Sequence, residues 1–363
     1  MKVGIFTFPN STSYGAELQM YALYEYVRRL GHTPEVINYH NAYMKAQKHM
    51  SGRGTLKAAA GQLLHHRLYR NFRRFEKDAM VRYPQKSFSD PALLPEMAKR
   101  YDAVICGSDQ VWNPDITGGD LSYFLNFCGE DTRRVAYAPS FGVEALSSEF
   151  AARVRPELER FFFLSVREKV GQTLIRELTG REAALVVDPT LLLRYNDWAN
   201  LEREHPLAQG DYILYYTIRS SRTLWKKARE LSEKTGMKLV AVGGNFLKTA
   251  FGKEANIEYA VDIGPDQWLY LMRHARYVVT NSFHGTVFSI IFRRDFYVEF
   301  SSLTNSRMAQ ITQALGLTDR IVGEAPLEPT AVDYSVRNQV LPQMRKISAF
   351  YLQSALKERR KER

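Results

Sequence analysis

The stretch Tyr277-Val-Val-Thr-Asn-Ser-Phe-His-Gly-Thr-Val-Phe-Ser-Ile-Ile-Phe292 decides the fold. Its first four residues are β-branched or aromatic, which predicts a buried strand, and the apolar run 285–292 predicts a helix that packs beneath the sheet. His284 then lies on the turn between them. In an open α/β sheet this turn is at the carboxyl end of a strand and the amino end of a helix, where ligands bind and backbone N–H groups attract anions.

Small polar residues surround His284 in the sequence. Asn281, Ser282 and Thr286 supply amide and hydroxyl groups, and Gly285 is expected to let another group approach the imidazole. A loop histidine that makes only a structural hydrogen bond is the alternative interpretation. The polar neighbours favour a functional site, but the stretch alone does not name a reaction.

The composition indicates two domains, because 363 residues with 45% hydrophobic content suffice for two cores. The chain contains no run of 18 apolar residues and no signal peptide, so we expect a cytosolic location. Two cysteines make neither a disulfide framework nor a zinc site, and no metal is expected. The formal charge of +11 favours acidic partners such as phosphorylated metabolites or anionic lipid. No nucleic-acid-binding signature is present.

Alternating strands and helices predict an α/β fold with two Rossmann-like domains. Residues 1–200 begin with a strand, a polar loop and a helix that Gly31 closes, a βαβ unit that implies a parallel sheet. Residues 201–335 repeat the alternation and contain the opening stretch. The last segment, 336–363, is expected to form a helix that crosses back to the first domain, followed by a basic tail. Two such units facing each other would place the carboxyl ends of both sheets on one cleft.

A basic amphipathic helix is predicted at residues 63–77 of the first domain, where leucines and phenylalanines fall at helical spacing among arginines. Such a helix can lie on an anionic membrane surface, each nearby cation contributing about 1 kcal/mol. A basic face that is merely solvated is the alternative. The membrane interpretation would bring the protein to the inner face of the plasma membrane.

Two stretches of the first domain carry chemistry. Residues 107–114, Gly-Ser-Asp-Gln-Val-Trp-Asn-Pro, combine hydroxyl, carboxylate, amide and indole groups as a sugar-binding loop does, and a turn around a buried Trp112 is the alternative. Arg167 is predicted near the end of a short strand, where a surface ion pair with Glu168, worth at most about 1 kcal/mol, competes with a functional role. Asp188, which precedes a proline, is interpreted as a structural stop.

Five motifs occur in an order known from one family. They are residues 10–23, 107–114, 165–168, 188–189 and 281–286. In this order they resemble the polysaccharide pyruvyl transferase family, and the resemblance runs from the first strand to about Phe300. Five motifs in the same order are specific.

The resemblance implies a fold similar to the two-Rossmann glycosyltransferase type B architecture, and transfer of a pyruvyl group from phosphoenolpyruvate onto sugar hydroxyls to form a ketal in bacterial cell-surface or exopolysaccharide synthesis. Phosphoenolpyruvate is then a co-substrate, and no cofactor is implied. The resemblance also implies that His284 is catalytic and that Arg167 binds the donor. Where family members carry Arg two residues before the histidine, this chain has Ser282, and Arg219 or Arg276 is the expected substitute.

The remaining site predictions follow from the resemblance. The donor-binding residues are Arg167, Asn281, Ser282, Gly285, Thr286 and Arg219, and the acceptor-binding residues are Asn10, Tyr14, Asp109 and Gln110. The acceptor is a saccharide, with a lipid-diphosphate-linked form and peripheral membrane contact among the candidates. Two alternatives stay open: a nucleotide-sugar-dependent glycosyltransferase, and a non-catalytic sugar-binding paralogue suggested by Ser282.

Overall fold

The computed structural model describes residues 1–9, 11–50, 57–242, 256–300 and 305–357. They form two compact units. The first comprises the described residues of Met1–Arg53, Glu76–Leu192 and Pro342–Arg363, and the second those of Gly54–Phe75 and Leu193–Leu341.

The first unit is built on a parallel five-stranded sheet with the order β3-β2-β1-β4-β5. A second, two-stranded parallel sheet joins β6 to β7. The strands are β1 (Lys2–Phe6), β2 (Thr33–Tyr39), β3 (Arg82–Phe88), β4 (Ala103–Cys106), β5 (Arg133–Ala136), β6 (Ser165–Val166) and β7 (Ala184–Leu185). Its helices are α1 (Tyr14–Arg29), α2 (Ala42–Met50), the end of α3 (Lys57–Ala79), α4 (Leu94–Ala98), α5 (Pro114–Thr117), α6 (Ser148–Glu159) and α7 (Lys169–Thr179).

The second unit repeats this architecture in a parallel sheet with the order β10-β9-β8-β11-β12. Its strands are β8 (Tyr212–Tyr216), β9 (Lys238–Val242), β10 (Ile257–Ala260), β11 (Tyr277–Thr280) and β12 (Asp295–Val298). Its helices are α8 (Tyr195–Ala199), α9 (Arg222–Thr235), α10 (Pro265–His274), α11 (Phe283–Phe292) and α12 (Asn305–Ala314). The predicted pair of Rossmann-like units is therefore confirmed.

In both sheets the order of the strands reverses at the same place. Counted within each unit, the order is 3-2-1-4-5, so the chain switches sides between β1 and β4 in the first unit and between β8 and β11 in the second. Ligands of open α/β sheets bind outside the carboxyl ends of the strands at such a switch point. The loops that follow these four strands are therefore the places to look for a site.

The opening stretch forms β11 and α11 as predicted. All four residues of β11 and all ten of α11 are buried. A helix that is apolar all round requires a fully enclosed position, and α11 contacts β11, β12 and α10. The turn that carries His284 is consequently anchored at both ends by core elements.

Residues 63–77 were predicted to belong to the first domain, but most of helix α3 belongs to the second unit. Up to Phe75 it belongs to the second unit. Asn71 Nδ2 donates to the carbonyl oxygen of Asp262 at 2.5 Å, and Arg74 Nη2 lies 2.6 Å from the carboxylate of Asp266. These partners lie about 190 residues further along the chain, so local periodicity could not reveal them.

The apolar side chains of α3 are also occupied. Phe72 and Phe75 are buried in the protein, whereas Arg67, Arg70 and Lys77 are exposed. Insertion of these two phenylalanines into a membrane would require the helix to leave its packed position. Only the exposed charges can meet an anionic surface without that cost.

The last helix, α13 (Ser335–Leu356), returns to the first unit from Pro342 onward, as predicted. The hydroxyl of Tyr351 donates to the Ala136 carbonyl at 2.7 Å, and Ser348 Oγ accepts from the Val187 N–H at 2.9 Å. The end of the predicted basic tail, residues 358–363, lies outside the described residues. Among the described helices, none is both long and apolar enough to cross a membrane.

Candidate active site

His284 is the second residue of α11, in a turn fixed by four hydroxyl interactions at the end of β11. Ser282 caps the helix, its Oγ accepting from the Gly285 N–H at 3.3 Å, and its own N–H donates to Thr280 Oγ1 at 3.0 Å. Thr286 Oγ1 donates to the Ser282 carbonyl at 3.1 Å. The fourth is an interaction of the Ser282 side chain with Tyr216 that acts to lower the pKa of the phenol. His284 is 8% exposed, so the turn holds a largely enclosed imidazole in one position.

Asn281 connects the two loops of the switch point. Its Oδ1 accepts from the Ile218 N–H at 3.0 Å, and its Nδ2 donates to the Arg219 carbonyl at 2.8 Å. Both polar ends of this buried side chain thus bind the loop after β8. The contacts support a positioning role for Asn281, and its predicted direct contact with a donor stays a prediction.

Gly285 was predicted to let another group approach the imidazole, and the structure shows a different reason for glycine at this position. A Cβ at this position would clash with Thr280 Oγ1 and would lie 3.0 Å from the Tyr216 ring. The space beside Gly285 is therefore filled by side chains of β8 and β11, and does not serve approach to the imidazole. Glycine is needed because the helix starts directly against the strands.

Tyr216, whose ring lies beside Gly285, is a neutral phenol. Burial raises the pKa of Tyr216 to about 12, although the interaction with Ser282 acts to lower this pKa.

The two predicted substitutes for the missing arginine lie at opposite ends of β11. Arg276 precedes the strand and its Nη1 is 2.6 Å from Asp295 Oδ2 at the start of β12. A four-residue strand spans roughly 13 Å, so Arg276 is at the wrong edge of the sheet and this expectation is wrong. Arg219 is exposed in the loop held by Asn281, at the same edge as His284.

Arg307, which was not predicted from the sequence, is a cation that contacts Phe283, the residue before His284. It lies in α12, is 6% exposed, and its guanidinium carbon is 5.8 Å from the centroid of the Phe283 ring. The Phe283 ring in turn meets the His284 ring edge to face, with centroids 5.2 Å apart. Nothing in the sequence around Arg307 forms a motif, so only the folded arrangement identifies it.

In the first unit, Arg167 is enclosed by acidic side chains. Its Nη1 lies 2.9 Å from Asp188 Oδ2, its Nη2 3.3 Å from Asp109 Oδ1 and its Nε 3.7 Å from Glu168 Oε2. Nη1 also donates to Ser108 Oγ at 3.3 Å. We call these five residues the Arg167 cluster.

The alternative interpretation of Arg167, a surface ion pair with Glu168, is wrong because the arginine side chain is only 1% exposed. Burial acts to lower the pKa of Arg167, but the charges of Asp109, Asp188 and Glu168 outweigh it and raise the pKa. One permanent cation therefore faces three carboxylates. The predicted binding of a donor anion by Arg167 stays a prediction, and the observed contacts give this residue the task of holding carboxylates in place.

Asp109 is the member of the cluster that reaches solvent, with 19% of its side chain exposed. It is the third residue after β4 and has a φ of +85°, a left-handed conformation uncommon for a residue other than glycine. Its carboxylate accepts from the Gln110 N–H at 2.9 Å, and its carbonyl accepts from the Ser140 N–H at 2.9 Å. Strained backbone held by several contacts is common at functional sites. The structure thus places the predicted Asp109 at the switch point of the first unit.

The rest of the loop after β4 is mainly structural. Trp112 is fully buried and stacks on Phe124 with centroids 5.1 Å apart, so the alternative of a turn around a buried indole is correct for this residue. Gln110 Oε1 accepts from Asn113 Nδ2 at 2.9 Å. Gly142, with a φ of +65°, lies against the Gln110 side chain, and a Cβ at this position would clash with the Gln110 amide.

Asp188 fulfils the predicted structural role. Its Oδ1 accepts from the Thr190 N–H at 3.0 Å and from Thr190 Oγ1 at 2.7 Å, which caps a short 3-10 turn. Its Oδ2 binds Arg167 and Ser108.

The loop after β1 contributes Tyr14, the first residue of α1, which is buried. Thr7 Oγ1 donates to the Ser108 carbonyl at 3.0 Å and accepts from Gln19 Nε2 at 3.2 Å, so this loop is tied to the loop after β4. The other acceptor candidate of this loop, Asn10, lies outside the described residues.

Comparison with known proteins gives one family and a set of structures. The family model described as "Polysaccharide pyruvyl transferase" matches residues 14–298 of the chain. No curated protein sequence matches it. Among solved structures, a putative UDP-N-acetylglucosamine 2-epimerase from Listeria monocytogenes is 11% identical, with 97% of this chain and 90% of that chain covered and a TM-score of 0.51.

Two further solved structures match the chain. Another UDP-N-acetylglucosamine 2-epimerase is 11% identical, covers 97% of this chain and 90% of its own, and has a TM-score of 0.50. The E. coli heptosyltransferase determined with ADP-2-deoxy-2-fluoro heptose is 12% identical, covers 94% and 99%, and has a TM-score of 0.44. At these identities the similarity concerns the fold alone.

Proposed function

The chain belongs to the polysaccharide pyruvyl transferase family, and from this premise we propose that it transfers a pyruvyl group from phosphoenolpyruvate to two hydroxyls of a sugar, giving a pyruvate ketal. The observation that carries the proposal is the position of His284 at the switch point of the second unit, on a turn fixed by Ser282 and Thr280. The product would be part of a bacterial cell-surface polysaccharide or exopolysaccharide.

The reaction needs one group that moves protons. A proton is added to the methylene carbon of phosphoenolpyruvate, a sugar hydroxyl adds to the central carbon, and the C–O bond to phosphate breaks. A second hydroxyl then adds and closes the ring. In the net reaction, the two protons lost by the sugar hydroxyls equal one proton gained by the methyl carbon and one gained by the released phosphate. We assign this proton transfer to the imidazole of His284, and a positioned general acid or base typically contributes 10²–10⁴-fold.

The donor carries a carboxylate and a phosphate, so it requires cations and N–H donors. Arg307 and Arg219 are assigned to this task in place of the arginine that Ser282 replaces. The amino end of α11 adds a favourable field for the departing phosphate. Guanidinium groups suit both anions because the planar fork can bind two oxygens at once.

On the acceptor side, Asp109 is proposed to accept a hydrogen bond from a sugar hydroxyl, with Gln110, Tyr14 and Asn10 as further contacts. Arg167 would fix the direction of the Asp109 carboxylate and thus act on the acceptor through it. Carboxylate and amide groups in a rigid loop are suited to reading the positions of hydroxyl groups.

A thermal-shift titration of the full chain tests the donor. Saturating phosphoenolpyruvate at 100 times its Kd should stabilise the protein by about 2.7 kcal/mol, a rise of the midpoint of roughly 5–10 °C. Inorganic phosphate is the control for unspecific anion binding. A shift with UDP-N-acetylglucosamine and none with phosphoenolpyruvate would favour the nucleotide-sugar glycosyltransferase, and no shift with either would favour the non-catalytic paralogue.

A further inference from the structure

Three arginines come together at the amino edge of the sheet of the second unit, at the end of α11 that is remote from His284. Arg293 caps the carboxyl end of this helix in a left-handed conformation with a φ of +54°, and Arg294 leads into β12. Arg337 is the third residue of α13. The ten residues of α11 span roughly 15 Å, so this edge is separate from the turn that carries His284.

Two of these arginines meet at one oxygen atom. Arg293 Nη2 donates to Asn338 Oδ1 at 3.1 Å, and Arg337 Nη1 donates to the same atom at 3.0 Å. The two guanidinium groups therefore face each other across a single amide oxygen. An amide oxygen carries only a partial negative charge, so it does not neutralise the two cations.

Other arginines at the amino edge of this sheet are neutralised by carboxylates. Arg273 Nε lies 2.6 Å from Glu202 Oε2, and Arg276 Nη1 lies 2.6 Å from Asp295 Oδ2. Among the described residues, no carboxylate forms an ion pair with any of the three arginines at the end of α11. Like charges collected in this way repel one another unless an anion lies between them.

The carboxyl end of α11 accounts for two of the three cations. Arg294 Nε donates to the Phe292 carbonyl at 3.0 Å, and cations such as Arg293 and Arg294 are favourable at a helix carboxyl end. The Tyr334 hydroxyl donates to the carbonyls of Ser289 at 3.2 Å and Arg294 at 2.6 Å. These contacts fix the segment before α13 against the end of α11.

Arg337 has no such structural explanation. It lies in the first turn of α13, which contains no acidic residue, and a cation is unfavourable at this end of a helix. Asp333, the acidic residue closest in the sequence, binds the N–H and the hydroxyl of Ser335 instead. The Arg337 side chain is half-buried, and among the described residues none accepts a hydrogen bond from its buried Nε. Burial and the charge of Arg293 both lower the pKa of Arg337, against a smaller opposite effect of Tyr334.

We propose that Arg293 and Arg337 form a phosphate-binding site at the amino edge of the second unit. The ligand class is a soluble phosphate or phosphate monoester. Guanidinium forks match the oxygens of a phosphate group, and a dianion neutralises both cations, whereas a single carboxylate would leave one uncompensated. Arg294 adds a third positive charge nearby. This site lies at the other end of α11 from His284 and does not depend on the proposed function.

Arginine labelling of the full chain with phenylglyoxal tests the site residue by residue, with mass spectrometry of the peptides as the readout. Inorganic phosphate should slow the labelling of Arg293 and Arg337 several-fold relative to chloride at equal ionic strength. Arg222, an exposed arginine at the start of α9, is the control and should be labelled at the same rate in both salts. Equal rates for Arg293 and Arg337 in phosphate and chloride would overturn the proposal.

Isothermal titration with inorganic phosphate supplies a second test. Arg293→Ala/Arg337→Ala should weaken phosphate binding about tenfold, as the loss of a charge-assisted hydrogen bond does. Arg222→Ala/Lys226→Ala on α9 is the matched control and should bind phosphate as the wild type does. If the first double variant does not fold, Arg337→Gln replaces it, with a weakening in the same direction.

The response to phosphoenolpyruvate separates this site from the donor site. It should be the same in wild type and Arg293→Ala/Arg337→Ala. Unchanged phosphate affinity in the folded variant, or loss of the phosphoenolpyruvate response together with phosphate binding, would overturn a separate site. Binding to phosphatidic acid vesicles without binding of soluble phosphate would overturn the ligand class. Phosphate binding that the variant loses, in a protein that never responds to phosphoenolpyruvate, would contradict the proposed function and support this site.

Discussion

Arg167 and Asp188 form an ion pair that is closed to solvent, with Nη1 2.9 Å from Oδ2. Removal of one partner of such a buried pair leaves an uncompensated charge and typically costs 3–5 kcal/mol. Because Arg167 also holds Asp109, the pair connects the stability of the first unit to the direction of the one carboxylate in the cluster that reaches solvent.

Replacement of Arg167 should separate its two candidate roles. Arg167→Ala is expected to lower the free energy of unfolding by roughly 3–5 kcal/mol, because three carboxylates lose their cation. Arg167→Lys keeps the charge but loses the forked contact with Asp109 and Asp188. In this variant turnover should fall while the thermal shift with phosphoenolpyruvate remains. A folded Arg167→Lys protein that no longer responds to phosphoenolpyruvate would mean that Arg167 binds the donor directly.

The imidazole of His284 should matter for the rate and little for stability. We expect His284→Ala to lower the rate of acceptor-dependent phosphate release from phosphoenolpyruvate by roughly 10²–10⁴-fold, the usual contribution of a positioned acid or base. His274→Ala, which removes a partly exposed histidine from α10 of the same unit, is the control and should retain activity. Loss of activity of equal size in both variants would argue against a specific role.

Arg307 should contribute to donor affinity. A charge-assisted hydrogen bond is worth roughly 1.5–3 kcal/mol, so Arg307→Ala should raise the Kd for phosphoenolpyruvate at least about tenfold. Arg307→Lys should restore part of the affinity because the charge is kept. Arg222→Ala removes an exposed arginine at the start of α9 and serves as the control. An unchanged Kd in a folded Arg307→Ala protein would leave Arg219 and Arg167 as the candidate cations.

Gly285 should tolerate no side chain. We expect Gly285→Ala to destabilise the protein by roughly 1–3 kcal/mol, the usual cost of overpacking, because the new Cβ would clash with Thr280. Gly323→Ala is the matched control, since a Cβ there would meet no atom within 4 Å. Chemical denaturation of both variants measures the difference. Equal stability of the two would show that the helix can shift away from the strand without cost.

Contact with a membrane is expected to be electrostatic. The phenylalanines of α3 are buried, so the exposed Arg70 and Lys77 are expected to carry binding to anionic vesicles. The double variant Arg70→Glu/Lys77→Glu should reduce cosedimentation roughly tenfold or more, since each cation near the surface contributes about 1 kcal/mol. Arg222→Glu/Lys226→Glu on α9 is the control. Vesicle binding that resists both high salt and the α3 variant would contradict this account.

The fold could be read from the sequence because its signals are local. The apolar run of β11 and α11, the closing glycines and the alternation of strands and helices each depend on neighbouring residues. Long-range partners were not predictable in this way. Asn71 and Arg74 of α3 bind residues about 190 positions away, which moved most of that helix to the other unit.

The site was predictable to the extent that motifs mark it. His284, Asn281 and Asp109 lie at the switch points of the two sheets, as their positions after strands suggested. The enclosure of Arg167 depends on carboxylates 21 and 58 residues away, and its burial could not be inferred from a short alternating strand. Arg307 belongs to no motif and is recognised only by its contact with Phe283.

The measurement that tests the central claim most directly is mass spectrometry of sugar products after incubation with phosphoenolpyruvate. The wild-type chain and the His284→Ala variant are each mixed with phosphoenolpyruvate and a panel of p-nitrophenyl hexosides. The account predicts a hexoside with the mass of its pyruvate ketal, formed with release of phosphate by the wild type and reduced to background by His284→Ala. Equal ketal formation by both proteins, or no ketal from any hexoside while a UDP-sugar yields a new glycoside, would contradict it.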